Sequence, residues 1–245
     1  MGDLDSSHVT LVDGSVLESG GQILRNAVSI AVITKRPIEV CNIRAGRQNP
    51  GLRWLFLLLV DFVPRSQHAA ALELASRVCC GHLSSCAVGS TEIRLIPGQI
   101  SPGSYEADAK TAGSVSLMLQ AVAPVLAFAS NQSELLLRGG TDTLFAPPIN
   151  YMIEVTYKNT KTKVCQLIML MALAKGNSEI RCGPLTLHTK TAIYVAEHLL
   201  GVSYLIVLHI NYVKLAFNTY FVDEYVFINA INSCTVLKHN SGYSN

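Results

Sequence analysis

The chain has little charge. Asp, Glu, Lys and Arg make up 15% of its 245 residues, against 49% hydrophobic residues. That balance excludes a self-repelling disordered chain and leaves ample material for a buried core. Neither sign is in excess. The net charge of +2 neither demands nor excludes a nucleic-acid partner, because a local basic patch can sit inside a balanced total. The seven cysteines include no Cys-x-x-Cys pair with matching histidine spacing, although Cys79, Cys80 and Cys86 lie close together, so a zinc site is unsupported. Their odd number reads as reduced intracellular thiols. The most apolar run, 54–60, is far too short to cross a bilayer and ends at Asp61, so it reads as a core segment. The acidic, polar start, 1–8, is unlike a secretory leader. Gly2 and Ser6 fit the loose myristoylation pattern but have no basic cluster beside them. No low-complexity segment or clear linker divides the chain.

What is present is a regular alternation of periods. Apolar residues at Ile23, Leu24, Ala27, Val28 and Ala31 predict a helix over 22–33, after a short strand at 9–12. A strand over 38–43, an alanine-rich helix over 68–78 and a strand over 91–96 complete a first cycle. A second cycle has a helix over 111–128, a strand over 134–138 and a helix starting at Pro147, a residue suited to a first turn. A third has helices over 165–174 and 189–200, with extended segments at 178–181 and 204–208. The expected class is therefore α/β, built of repeated small modules in which helices pack on a sheet. The tail after His209 shows no firm period.

Three groups of residues can carry chemistry. Glu18, Gly20, Gly21 and Arg25 stand where the first strand turns into a helix. Glycines there let backbone N–H groups approach a phosphate, and the helix dipole favours the anion. Glu18 can hold a magnesium ion together with phosphate oxygens, and Arg25 lies about one turn into the helix. A plain turn with a solvent-facing acid explains the same residues about equally well. Arg44 and Arg47 flank Gly46 after the second strand, with Gln67 and His68 further on. Guanidinium forks suit phosphate oxygens, while a solvated basic loop is the bland alternative. His188 follows Gly183-Pro184 just before a helix and can attack a phosphoryl centre. Six other histidines compete with it, and spacing alone does not rank them.

The motifs themselves carry a resemblance. Val12-Asp-Gly-Ser-Val-Leu-Glu-Ser-Gly-Gly-Gln-Ile-Leu-Arg25, Ile43-Arg-Ala-Gly-Arg47, Asn49-Pro-Gly-Leu-Arg53 and Gly89-Ser-Thr-Glu-Ile93 are followed by Lys110-Thr-Ala-Gly-Ser114, Gly139-Gly-Thr-Asp142, Ala146-Pro-Pro148 and Gly183-Pro-Leu-Thr-Leu-His-Thr189. In this order they resemble the RNA 3′-terminal phosphate cyclases over 9–155 and 166–201. The resemblance implies an ATP-dependent, ligase-type reaction. His188 takes AMP from ATP and passes it to an RNA 3′-phosphate, and the neighbouring 2′-hydroxyl closes a 2′,3′-cyclic phosphate. It also implies nucleotide contacts from Gln120, Pro147 and Gln166, a Mg²⁺ or Mn²⁺ ion at Glu18, and phosphate handling by Arg25, Arg44, Arg47, Gln67 and His68. ATP and RNA 3′-phosphate ends are the expected partners, with no membrane and no DNA. The expected compartment is the nucleoplasm, with the cytoplasm second. In a folded chain His188, Glu18, Arg25 and Gln120 should share one cleft.

Four departures from the family pattern stand out. The chain passes from Tyr157 almost directly to Gln166, where the family carries a long block with a small inserted domain. Cys165 and Thr162 stand where the family has an acid and a tyrosine. Segment 54–65 reads as an insertion. Ser19 replaces a usual glycine, at a cost in backbone freedom. The expected organisation is two modules over 1–157, a remnant of the third over 158–208 carrying the histidine motif, and an unmatched tail over 209–245. The alternative reading is a non-catalytic cyclase-like protein of ribosomal RNA processing.

Overall fold

The computed structural model describes residues 9–47, 50–52, 67–87, 89–109, 113–144, 146–158, 164–208 and 213–219. The segment 54–65, with its apolar run, and Thr162 lie outside the described residues. The first module consists of β1 (Thr10–Asp13), α1 (Gly21–Thr34), β2 (Ile38–Cys41), α2 (Gln67–Val78), β3 (His82–Ser84) and β4 (Ile93–Ile96). Helix α1 is the crossover between parallel strands β1 and β2. Strand β4 then pairs antiparallel with both β2 and β3, giving the order β1-β2-β4-β3.

The second module contains β5 (Ser104–Asp108), α3 (Val115–Leu126), β6 (Glu134–Arg138) and α4 (Ile149–Lys158), with β5 and β6 parallel. The third contains α5 (Val164–Leu173), β7 (Gly176–Cys182), α6 (Leu187–Leu200), β8 (Leu205–Leu208) and β9 (Val213–Thr219). Its sheet runs β7-β9-β8, antiparallel throughout, which repeats β2-β4-β3 of the first module. The full repeat is thus β-α-β-α-β-β. Among the described residues the second module has only its first four elements and the third only its last five. Both shortfalls fall next to the connection between α4 and α5.

The mixed α/β class and the repeated modules are as expected, with local differences. The strand expected over 38–43 stops at Cys41, because Asn42 and Arg44 take left-handed φ values of 52° and 57°. The helix expected from residue 111 starts at Val115, where the Ser114 hydroxyl caps it by accepting the Leu117 N–H at 3.4 Å. The last helix starts earlier than its apolar period, because Thr186 accepts the Thr189 N–H at 3.2 Å. His188 therefore lies inside the first turn of α6 rather than before it. Strands β3, β5 and β9 add to the elements expected from the sequence.

One continuous core joins the three modules, and α1 runs through its centre against α2, α3 and α6. Ile23, Ala27, Val28 and Val32 are fully enclosed, and burial of an isoleucine or valine side chain contributes about 1.5–3 kcal/mol. The ends of α1 are pinned as well. Gln22 Nε2, at its start, donates to the His188 carbonyl at 3.2 Å, and Arg36 Nη1, just past its end, donates to the Leu199 carbonyl at 3.1 Å. Helices α1 and α6 therefore lie side by side in the same direction, with their N-termini together. His198 further ties α6 to β1 through a 2.7 Å contact with the Leu11 carbonyl.

Candidate active site at three helix starts

The site begins with the loop from β1 to α1. Asp13 Oδ1 accepts from the Ser15 N–H (2.9 Å), the Ser15 hydroxyl (2.7 Å) and Asn42 Nδ2 (3.3 Å). These bonds, the Ser15 N–H first, hold the Asp13 carboxyl below its ordinary value and tie this loop to the turn after β2. Leu17 and Ser19 in the loop have φ values of 55° and 48°. With Asn42 and Arg44, four non-glycine residues on these two facing loops occupy the left-handed region, a backbone strain that such loops keep only when the surroundings fix them.

Arg47 supplies part of that fixing. Its Nη2 donates to the Glu18 carbonyl at 2.9 Å, its Nε to the Ser19 carbonyl at 3.4 Å, and Nη2 stands 3.6 Å from Glu18 Oε1. The Ser19 hydroxyl accepts the Gly46 N–H at 3.2 Å. Arg44 shapes the same turn by accepting the Arg47 N–H on its carbonyl at 2.9 Å. The arginine expected at phosphate is thus also the brace of the acid-bearing loop.

Helix α1 opens at Gly21 with Gly20 as a cap that offers no side-chain acceptor, and its first turn contains no acid. Its first N–H groups therefore remain open to an anion. The glycine pair forms a seam. A side chain at Gly20 would meet Glu18 Oε1 and Arg47 Nη2, and one at Gly21 would overlap the His68 ring and press on Arg25 Nη1. His68, the second residue of α2, is 8% exposed. Arg25 and His68 also line one narrow cavity with Leu117 and Ala121 of α3.

From the other side comes α6. His188, its second residue, places Nδ1 3.2 Å from Glu18 Oε2. The approach is off the hydrogen-bond line, so this enclosed carboxylate oxygen lacks a directed donor. The Glu18 side chain is 16% exposed and that of His188 55%. The acid is recessed while the imidazole stands open to a ligand. Three helix starts, those of α1, α2 and α6, meet here without an acid in any first turn, and their dipoles add to Arg25 and Arg47.

The structure therefore brings together Glu18, Gly20, Gly21, Arg25, Arg47, His68 and His188. Gln120 sits on α3 between Leu117 and Ala121, but its amide is directed at Met152 Sδ of α4 at 3.6 Å. Pro147 is half-buried two residues before α4. Of Gln67 and Gln166 only the helical backbone is described, and the same holds for Cys165. Sequence reasoning missed Gln22, which is 6% exposed and positions the His188 backbone. Its place beside the glycine pair was the available signal.

The fold is built of β-α-β-α-β-β units, complete in the first module among the described residues, with His188 at the junction of helix starts. The family model of RNA 3′-terminal phosphate cyclase matches residues 16–165 and 160–206, and the chain belongs to this family. Similar curated proteins include the RNA 3′-terminal phosphate cyclases of Methanosarcina barkeri, 41% identical over 147 residues (60% of this chain, 41% of the relative), and Pyrococcus furiosus, 39% over 146 (60% and 39%). That of Desulfurococcus amylolyticus is 43% identical over 148 residues (60% and 38%). The chain spans about two fifths of the length of these relatives.

Proposed function

We propose that this chain binds ATP at the joined helix starts and takes AMP onto His188, as the first step of cyclising an RNA 3′-phosphate. The observation that supports this reading most is the placement of His188 Nδ1 beside Glu18 Oε2 at the open N-terminus of α1. With Nδ1 turned to the recessed carboxylate, Nε2 is the ring nitrogen left to act as the nucleophile, in the tautomer that carries the proton on Nδ1. Nε2 attacks the α-phosphorus, the Nε2–P bond forms, and the bond to the bridging oxygen breaks with release of pyrophosphate. The first-turn N–H groups of α1, with Arg25 and His68 beside them, hold the phosphate chain and stabilise charge as it develops.

A 3′-phosphate oxygen of RNA then attacks the same phosphorus and frees the imidazole. The 2′-hydroxyl attacks the activated 3′-phosphorus, loses its proton and displaces AMP. An RNA terminus is required, because only RNA carries that hydroxyl. Mg²⁺ or Mn²⁺ fits this site at Glu18. Its enclosed Oε2 accepts no directed hydrogen bond, which fits an ion held by one carboxylate and phosphate oxygens. Such an ion would neutralise triphosphate charge. For Gln120 to reach the nucleotide, its amide must first turn away from Met152.

The test is to incubate folded protein with Mg²⁺ and ATP labelled at the α-phosphate, then add RNA ending in a 3′-phosphate. The protein should become labelled, and the RNA end should become resistant to phosphatase. A folded protein that neither labels nor modifies the RNA would move the reading to a non-catalytic cyclase-like relative of ribosomal RNA processing.

A further inference from the structure

Among the described residues, strand β6 has an edge that its counterpart in the first module does not leave open. Strand β2 has β1 on one side and antiparallel β4 on the other. Strand β6 has β5 on the equivalent first side, and no strand on the second among the described residues. Such an edge is a template for another strand. Its sequence, Glu134-Leu-Leu-Leu-Arg138, contains neither proline nor lysine to block pairing.

The backbone phase is fixed by the bonds at the two ends of the pair. The Glu134 N–H donates to the Gly103 carbonyl at 2.9 Å, and the Arg138 carbonyl accepts the Ala109 N–H at 3.0 Å. In a parallel pair alternate residues bond to the neighbour, so 134, 136 and 138 are committed to β5. The N–H and C=O groups of Leu135 and Leu137 face the open edge. Side chains alternate in the same way. Leu135 is buried and Leu137 packs on the core, which places Glu134, Leu136 and Arg138 together on the outer face.

We infer that a second copy of this chain pairs antiparallel along β6, about a two-fold axis through Leu136. In that register Leu135 opposes Leu137 of the second copy. Both present outward backbone groups, so each of the two such pairs forms two hydrogen bonds. Leu136 meets its own copy. Glu134 opposes Arg138 of the second copy at both ends, in non-hydrogen-bonded positions where Cα atoms approach to about 4.5 Å and side chains interact most closely. The strand is thus complementary to itself in charge, in apolar contact and in hydrogen-bond phase at one and the same register. A shift by one residue would put committed groups at the edge and align like faces wrongly. The product is a four-stranded sheet, β5-β6-β6-β5, with the isologous symmetry of a two-fold dimer. Glu134 at present accepts from the Ser104 hydroxyl at 3.2 Å, and Arg138 pairs with Glu106 at 2.7 Å, both on the solvent side. These exposed contacts are weak competitors.

The inference is independent of the nucleotide chemistry and has its own test. Sedimentation and light scattering of the full chain should give twice the single-chain mass, and Leu136→Lys, which sets two ammonium groups against each other at the axis, should give one chain with unchanged circular dichroism. Glu134→Arg and Arg138→Glu should each weaken self-association by opposing like charges. An equimolar mixture of these two variants should form a heterodimer, since all four end groups are then matched. A wild type that remains a single chain overturns the inference. A dimer unaffected by Leu136→Lys, or a mixture no more associated than its parts, overturns it too.

Discussion

Replacing Gly21 by alanine tests the geometry of the glycine seam with a single methyl group. A β-carbon there would overlap the His68 ring and lie 3.0 Å from Arg25 Nη1. His68 is 8% exposed and has little room to withdraw. Forcing a methyl into such packed space costs about 1–3 kcal/mol. Alanine regains up to about 1 kcal/mol of helix propensity over glycine, less in a first turn. The net loss is about 1–2 kcal/mol, which lowers Tm by roughly 2–8 °C for a chain of this size. The loss should be accompanied by weaker labelling from ATP, because His68 and Arg25 are both displaced. Gly20→Ala is the control. Its β-carbon meets only the flexible ends of Glu18 and Arg47, at 3.1 and 3.5 Å, so its Tm should fall less. Thermal unfolding followed by near-UV circular dichroism reads both variants. A Gly21→Ala protein that melts at or above wild type would refute the close approach of α1 to His68.

Three further perturbations probe the surroundings. Ser19→Gly should be more stable than Ser19→Ala by about 1–2 kcal/mol in denaturant titration, because both lose the hydroxyl bond to Gly46 but only alanine keeps a side chain at φ 48°. Equal stabilities would remove the left-handed strain from the account. Asp13 has its carboxyl held below the ordinary 3.8, so its contribution is fully present above that pH and is lost as pH falls through the lower folded value; Asp13→Asn should flatten this part of an acid unfolding curve. The Tyr204 hydroxyl donates to the Ile168 carbonyl at 2.8 Å, and burial pushes its phenol well above the ordinary 10.0. Tyr204→Phe should lose about 0.5–1.5 kcal/mol near neutral pH. Stability should fall as pH rises past the ordinary value, since the unfolded phenol ionises first, and the variant's deficit should shrink there.

Much of the fold could be read from the chain because apolar period and burial coincide. Helix α1 has Ile23, Ala27 and Val28 on its enclosed face, and β2 alternates Ile38 and Val40 inward. Strand β5 was missed because a single residue, Ala107, is buried in it, so alternation had little to show. Strand β9 does alternate, Val213, Leu215 and Phe217 against Lys214, Ala216 and Asn218, but it was missed because the tail after His209, taken as one stretch, shows no firm period; its pairing with β8 just before it and with β7 beyond α6 emerges only from the fold. At the site, the glycine pair, Glu18 and His188 could be named individually, but their meeting could not. It depends on the parallel alignment of α1 and α6, set by Gln22 and Arg36 donating to carbonyls of the other helix. Backbone acceptors of that kind have no residue signature. The brace made by Arg47 was hidden for the same reason, since two of its three contacts are to main-chain oxygens.

The proposed chemistry requires His188 Nε2 to be the nucleophile at the joined helix starts. The most direct measurement is mass spectrometry of the peptide containing His188 after the folded chain has been exposed to Mg²⁺ and ATP. One added AMP is expected on His188, acid-labile as a phosphoramidate, labelled from the α-phosphate and never from the γ-phosphate, and absent in His188→Ala. AMP carried on another residue, or label retained by a folded His188→Ala protein, would contradict it.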